Sequence, residues 1–515
     1  MGKEVYPMEL IKNALDAFEP TDSIVLSQEE TAETIVPDYC PDIARIVKTS
    51  GQLYLHSHQI RSGKVELSGT IRIRVLYTPD GEKGLRTLEF AMPFTAESDR
   101  QTFSKCITTL SAPEIVSLDT KLLNPRKIFT RCKIMIRVTG YQKSQLSFCT
   151  DIEASPELSI QKKLTKETIV LLSAIEEKDF SFTDEISISA SRKGASELLS
   201  NSVFPVITDT KIIGNKVICK GMFHITFLYR DADGLYESSE AELPFSQVLE
   251  TEKISETALP EVYIQLTGAD LQISGDDPNG RVISATFYLH ATAFLYQSQE
   301  ITLLEDLYST SYHLTYNAET LNLTAFRNYI QRRQTMREIL EIGVVAESIL
   351  TLSVHCGSVS AGKDGKNVAL RVPVTIRALY RDEGGTVLSA ERTVESVCFM
   401  ETGEDLQIIA DANCFGEIQS SIGERGIEIR FPVDFSIHTE KKVRKITIET
   451  IHLEGDAQKD NAPSLVLRCF GKQEQLWDIA KQYRTTTDAI LAANGLGGEE
   501  EIPCDKLLLI PKKRA

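Results

Sequence analysis

The 515-residue sequence has a single tryptophan against 16 tyrosines and 20 phenylalanines, no long apolar run and no basic excess. Its longest apolar runs, such as Ile169-Val170-Leu171-Leu172, fall far short of the roughly 20 residues that a helix needs to cross a bilayer, so no membrane insertion is expected. Aspartate and glutamate outnumber lysine and arginine 73 to 56, and the net charge of -17 repels a polyphosphate backbone. Nucleic acid is therefore not an expected partner. The ten cysteines, at 40, 106, 132, 149, 219, 356, 398, 414, 469 and 504, form no close C-x-x-C pair, which sets aside zinc ribbons and thioredoxin-like motifs. They read as free thiols, with Cys219 and Cys398 acting as small hydrophobes inside strands.

Catalytic motifs are also missing. The sequence contains no G-x-x-x-x-G-K-[ST] loop to cradle nucleotide phosphates, no H-E-x-x-H and no G-x-S-x-G elbow. His56-Ser57-His58 can present two imidazoles on one strand face, but no third ligand lies near in sequence, so alternating polar residues on a solvated face explain the triplet. Asp231-Ala232-Asp233-Gly234 lacks the later ligands of a calcium loop and reads as a hairpin turn. His355 and Cys356 are adjacent and so point to opposite faces of a strand, which is wrong for a dyad. The expectation is a non-enzyme with no catalytic residue, no cofactor and no metal site. The opening Met1-Gly2-Lys3-Glu4-Val5-Tyr6 carries a glutamate and no apolar leader, which predicts a protein retained in the cytoplasm.

What is present is a repeat. With 42% hydrophobic and 25% charged residues the chain is globular, and its length calls for three or four domains. Three alternating segments close on Leu-Tyr: Ile71–Tyr77, Phe223–Tyr229 and Val374–Tyr380, at spacings of 152 and 151 residues. Each is followed by turn residues, Pro79-Asp80-Gly81, Asp233-Gly234 and Glu383-Gly384-Gly385, so each predicts the first strand of a hairpin. Met92-Pro93-Phe94 and Leu243-Pro244-Phe245 recur downstream, with Val397-Cys398-Phe399 as a looser third version. Alternation continues through Ile429–Ile437, where the outward Pro432 predicts an edge strand. The fold class is therefore mainly β, with three homologous antiparallel repeat domains, sandwich-like or barrel-like, over 25–150, 165–315 and 330–455. Short helices are predicted at Met8–Phe18 within an N-terminal helical segment 1–24, and at Pro41–Val47 and Ser196–Leu199. A fourth, Leu323–Leu340, reads as a connector with a solvated basic face.

After a polar linker at 456–463, the tail over 464–513 changes character: a strand at Leu465-Val466-Leu467, helices at Leu476–Tyr483 and Thr487–Ala493, an Asn494-Gly495 stop and a strand at Lys506–Ile510. From residue 463 onward eight basic side chains face seven acidic ones, so the negative charge belongs to the repeats. This βααβ order, with Leu476-Trp477-Asp478-Ile479-Ala480-Lys481-Gln482-Tyr483, Ile490-Leu491-Ala492-Ala493-Asn494 and the closing Leu509-Ile510-Pro511, resembles a LysM domain, a small α+β module. The resemblance implies a groove for N-acetylglucosamine-containing glycans, whose positions here are Gln473, Glu474, Gln475, Asn494 and Cys504. Gln473-Glu474-Gln475 stand where the family has Gly-Asp-Thr, and Cys504 where a glycine precedes the last strand. A flat sugar needs the close backbone approach that glycine permits, so these departures argue against an ordinary sugar groove.

The combination of such repeats with a LysM tail resembles the SipL family of spore coat morphogenetic proteins, whose repeats are SPOCS domains. Ile35-Val36-Pro37-Asp38 and Pro41-Asp42-Ile43-Ala44-Arg45-Ile46 match that family's opening segment. The resemblance implies a mother-cell protein at the forespore surface. Its LysM domain would bind the coat-basement ATPase SpoIVA, with other coat proteins or further copies of the chain as additional partners. Leu465, Leu476, Trp477 and Ile479 are the residues expected to carry that binding, as core or as contact. The alternative is a LysM protein that binds peptidoglycan or cortex glycan.

Overall fold

The computed structural model describes residues 7–61, 63–82, 84–252, 254–365, 367–401, 406–456, 465–472, 474–499, 502–503 and 505–511. Residues 1–6 of the expected N-terminal segment and 457–463 of the expected linker lie outside them. Residues 8–154 form β1 (Met8–Ile35), β2 (Ile43–Arg61), β3 (Lys64–Pro79), β4 (Arg86–Asp99), β5 (Thr108–Asn124) and β6 (Lys127–Ala154). The same series follows as β7 (Ile160–Ser187), β8 (Ala195–Ile213), β9 (Lys216–Asp231), β10 (Tyr236–Glu250), β11 (Leu259–Ile273) and β12 (Val282–Ser309). It returns with two short additions as β13 (Tyr312–Glu341), β14 (Ala346–Cys356), β15 (Ser360–Asp364), β16 (Asn367–Asp382), β17 (Val387–Glu401), β18 (Leu406–Asn413), β19 (Gln419–Gly423) and β20 (Gly426–Asp456).

In each repeat the long first strand pairs antiparallel with the last, β1 with β6, β7 with β12 and β13 with β20. β2–β4, β8–β10 and β14–β17 form a separate sheet centred on β3, β9 or β16, whereas β5, β11, β18 and β19 pair with the last strand of their repeat. The central strands β3, β9 and β16 are the three Leu-Tyr segments, and each makes the expected hairpin with its successor. Inner faces of both sheets of the first repeat supply a common core, from Ile71, Ile73 and Phe94 on one side to Ile134 and Ile136 on the other. No ladder joins the two sheets of a repeat among the described residues. The architecture is thus predominantly β with recurring paired sheets, and barrel closure is not part of the observed pairing.

Equivalent residues from all three repeats meet at one place. Leu76, Leu228 and Leu379, the leucines of the Leu-Tyr pairs, join Val47, Leu199 and Leu350 and then Leu85, Tyr236 and Val387 in a single apolar cluster. A second common core forms where the outer halves of the long ribbons pack, with Phe148, Ile169, Leu303, Leu321 and Leu323 drawn from all three repeats. The adjoining tyrosines serve their own repeats: Tyr77 and Tyr229 are buried, each donating its hydroxyl to a backbone carbonyl, Pro41 and Lys193 respectively, at 3.2 Å.

The four predicted helices are strands. Met8–Phe18 lies in β1, Ser196–Leu199 in β8 and Leu323–Leu340 in β13, while Pro41–Val47 runs from a turn into β2. The cause is β-bulges, which insert one residue and shift the apolar positions away from strict alternation. Bulges fall between Ile43/Arg45 and Ile46/Lys48, again between Ala195/Glu197 and Leu198/Ser200, and again between Ala346/Ser348 and Ile349/Thr351. Apolar residues three or four apart on such a strand imitate a helix, and the bulged Val47, Leu199 and Leu350 are the ones that reach the central cluster.

Pro432 is not on an edge strand. β20 is flanked by β13 on one side and by β18 and β19 on the other. β18 ends its pairing at Asp434 and β19 begins at Arg430, so Pro432, which has no N–H to offer, occupies the gap between them. The third Phe motif also shifts. Gly69 and Gly221 sit opposite Phe94 and Phe245, and a Cβ on either would fall within 2.7 Å of those rings. In the third repeat Val372 faces Ser396 at that place, so the volume changes strands and Phe399 is left half exposed.

Candidate functional site

The tail folds around β21 (Leu465–Cys469), α1 (Leu476–Tyr483), α2 (Thr487–Ala493) and β22 (Leu507–Pro511), with β21 and β22 antiparallel. Leu476, Ile479 and Ala480 repeat at helical spacing, and α1 buries them against Ile490, Leu508 and Ile510. The first free N–H of α1, at Leu476, is capped from a distance by Glu499 at 2.6 Å. α2 starts conventionally, with the Thr486 hydroxyl accepting from the Ala489 N–H at 3.0 Å.

The helix α1 does not turn its tryptophan to solvent. Trp477 Nε1 donates to Asp306 Oδ2 at 2.7 Å, and Lys481, one turn on, donates to Asp306 Oδ1 at 2.6 Å. Tyr316 gives that carboxylate a third hydrogen bond at 2.7 Å. The Trp477 ring meets Tyr308 edge-on at 5.0 Å, and the Tyr308 hydroxyl donates to the Thr485 carbonyl at 2.7 Å. The tail is thus docked on the end of β12 and the start of β13. Burial pushes the Asp306 carboxyl up, but the hydrogen bonds from Lys481, Trp477 and Tyr316 outweigh it and hold it below the usual carboxylate range. Burial pushes Lys481 down, and its bond to Asp306 reverses that, leaving it above an ordinary lysine.

The residues expected to bind a partner therefore divide. Leu476 and Ile479 are tail core, Trp477 is spent on the dock, and Leu465 is exposed. Among the glycan-groove positions, Glu474 is tied to Arg468 at 2.5 Å and to the Gly471 N–H at 3.0 Å. Gln475 accepts from Lys163 of the second repeat at 2.9 Å. Asn494 donates to the Ile490 and Leu509 carbonyls and accepts from the Leu509 N–H, stitching α2 to β22. Gln473 and Cys504 lie outside the described residues.

Sequence reasoning missed the face that the tail leaves open. Leu465, Leu467 and Cys469 share the outer side of β21 with Leu507 of β22 opposite Cys469. Leu467 and Leu507 are 61% and 59% exposed, an unusual display for leucines in neighbouring strands. The signal was available: Leu465-Val466-Leu467 is apolar at every position, so whichever face packs, the other carries leucine.

Outside the tail, the charged residues around Arg327 and at Asp231 are structural. Arg327, from the segment read as a solvated connector, is buried: it bridges Glu261 of the second repeat and Glu440 of the third and lies over the Tyr296 ring at 3.9 Å. Burial would raise the Glu261 carboxyl, but the His438 hydrogen bond and the Arg327 charge hold it at about 2. Asp231 is the buried anchor of a hairpin turn, accepting from the Asp233 and Leu235 N–H groups. All nine described cysteines are free, and Cys219 and Cys398 are buried.

The SipL, SPOCS domain model matches residues 42–110 and 195–274, equivalent stretches that open at β2 and β8, and the LysM domain model matches 472–511. SPOCS and LysM domains are present in this chain. No curated protein matches it. These are structural and adaptor modules, and they support a non-enzymatic scaffold or adhesion role in a spore coat or peptidoglycan context.

Proposed function

We propose that this chain is a spore coat assembly scaffold of the mother-cell cytoplasm that binds the ATPase SpoIVA through its LysM domain and promotes encasement of the forespore. The observation that carries the reading is the division of the tail into two faces. Trp477 and Lys481 fasten the module to its own repeats, while Leu465, Leu467 and Leu507 stand outward. Apolar side chains at the centre of a contact supply most of its free energy, so this hairpin face, and not Trp477, is the SpoIVA-binding surface. The polar atoms of Glu474 and Asn494, at the family's glycan-groove positions, are occupied within the tail, which favours a protein partner over a sugar.

Retention of SpoIVA on the immobilised full chain tests this. Leu467→Asp and Leu507→Asp should each weaken retention by about tenfold or more, with Trp477 fluorescence unchanged because neither residue touches the dock. Sedimentation with purified peptidoglycan at low salt, with no SpoIVA retained by the unsubstituted chain, would move the assignment to glycan binding.

A further inference from the structure

The bulge between Leu55 and Ser57 in β2 breaks the alternation on which His56 and His58 would share a face. The two rings part company: His56 Nε2 bonds the Thr70 hydroxyl at 3.0 Å, whereas His58 lies edge-on to His290 with ring centres 5.4 Å apart. His290 comes from β12, and its register partner on β7 is Asp179, with Glu177 two residues along the same face, opposite Thr292. One nitrogen each from His58 and His290 and one carboxylate oxygen of Glu177 lie within 4.8 Å of one another.

The state of His290 singles this cluster out. Its Nδ1 meets Asp179 Oδ1 at 2.8 Å; a carboxylate oxygen accepts, so Nδ1 is the donor in this bond and Nε2 is the ring nitrogen left over. Nε2 is buried with no hydrogen-bond partner. A buried polar nitrogen without a partner costs free energy, and a carboxylate on the far nitrogen is the arrangement that orients histidines on metal ions. The Thr108 hydroxyl similarly fixes one oxygen of Glu177, leaving the other for a second bond.

We propose that His58, His290 and Glu177 form a site for a divalent ion of the zinc type, with Asp179 and Thr108 positioning the ligands and water as fourth ligand. Two imidazoles and one carboxylate suit zinc and not calcium or magnesium, which take oxygen. Metal–ligand bonds of about 2.0–2.1 Å bring ligand atoms to roughly 3.3 Å in a tetrahedron, so side-chain rotation of about 1.5 Å or less closes the cluster. Since His58 belongs to the first repeat and the other two ligands to the second, the ion would clasp these repeats together.

Chelator-stripped full-length protein should take up one equivalent of zinc and melt at a higher temperature with it. Cobalt should give the visible absorption of a tetrahedral nitrogen and oxygen site without a thiolate charge-transfer band. His58→Gln and His290→Gln should abolish stoichiometric uptake, Asp179→Asn should weaken it by about 10–100-fold, and His56→Gln should leave it unchanged. If His290→Gln fails to fold by circular dichroism, the partly exposed His58→Gln decides. No stoichiometric uptake, uptake indifferent to His58→Gln, or a thiolate band from cysteine ligation would each overturn the proposal.

Discussion

At the centre of the three repeats, Leu76, Leu228 and Leu379 share one apolar cluster; at the tail, one carboxylate, Asp306, receives hydrogen bonds from an indole, an ammonium and a phenol. The first contact has three equivalent contributors and the second has none that repeats. Burial of apolar surface is non-directional, so duplicated sequences can share it without change. A buried carboxylate needs each donor placed in a particular direction, and only the second repeat supplies Asp306. The centre is therefore inherited with the repeat, and the dock belongs to one position in the chain.

Substitutions separate the two regions by the size and reach of their effects. Leu228→Asp places a charge in the apolar centre, and we expect a loss beyond about 4 kcal/mol, seen as one cooperative collapse of all three repeats in thermal unfolding. Arg327→Ala strands Glu261 and Glu440 between the second and third repeats and should cost about 3–5 kcal/mol, measured by urea unfolding; a loss below about 1 kcal/mol would show the bridge to be dispensable. Asp306→Ala should cost the dock about 1–3 kcal/mol and leave repeat unfolding unchanged. The lone tryptophan reports this directly: Trp477 emission should shift to the red and become accessible to a soluble quencher.

The smallest expected effect is that of pH on the same fluorescence. The Asp306 carboxyl is lowered on folding, so its contribution is complete above the unfolded value of about 3.9 and is lost as pH falls through the lower folded value. Lys481 is raised, so its contribution is complete below about 10.4 and is lost as pH rises through the higher folded value. Trp477 emission should stay flat between those limits. A transition near pH 6–7 would mean that a histidine, and not this pair, governs the dock.

Much of the repeat was legible because alternation and turn residues act locally. Ile71–Tyr77, Phe223–Tyr229 and Val374–Tyr380 are strands with hairpins where Pro79-Asp80-Gly81 and its counterparts require them. The bulged starts of β2 and β8 were not, since an inserted residue makes a strand's apolar spacing resemble a helix's. In the tail the helices were legible from Leu476, Ile479 and Ala480, but the role of Trp477 was not, because its partner lies 171 residues away in sequence.

By itself, then, the sequence determined the β character of the repeats, their number and spacing, and the βααβ tail, all consequences of periodicity and turn chemistry over a few residues. Tertiary structure alone decided that equivalent leucines meet, that Trp477 faces inward while Leu467 and Leu507 face outward, and that His58 finds His290. Each of these depends on register and on which surfaces close upon each other, which local pattern does not encode.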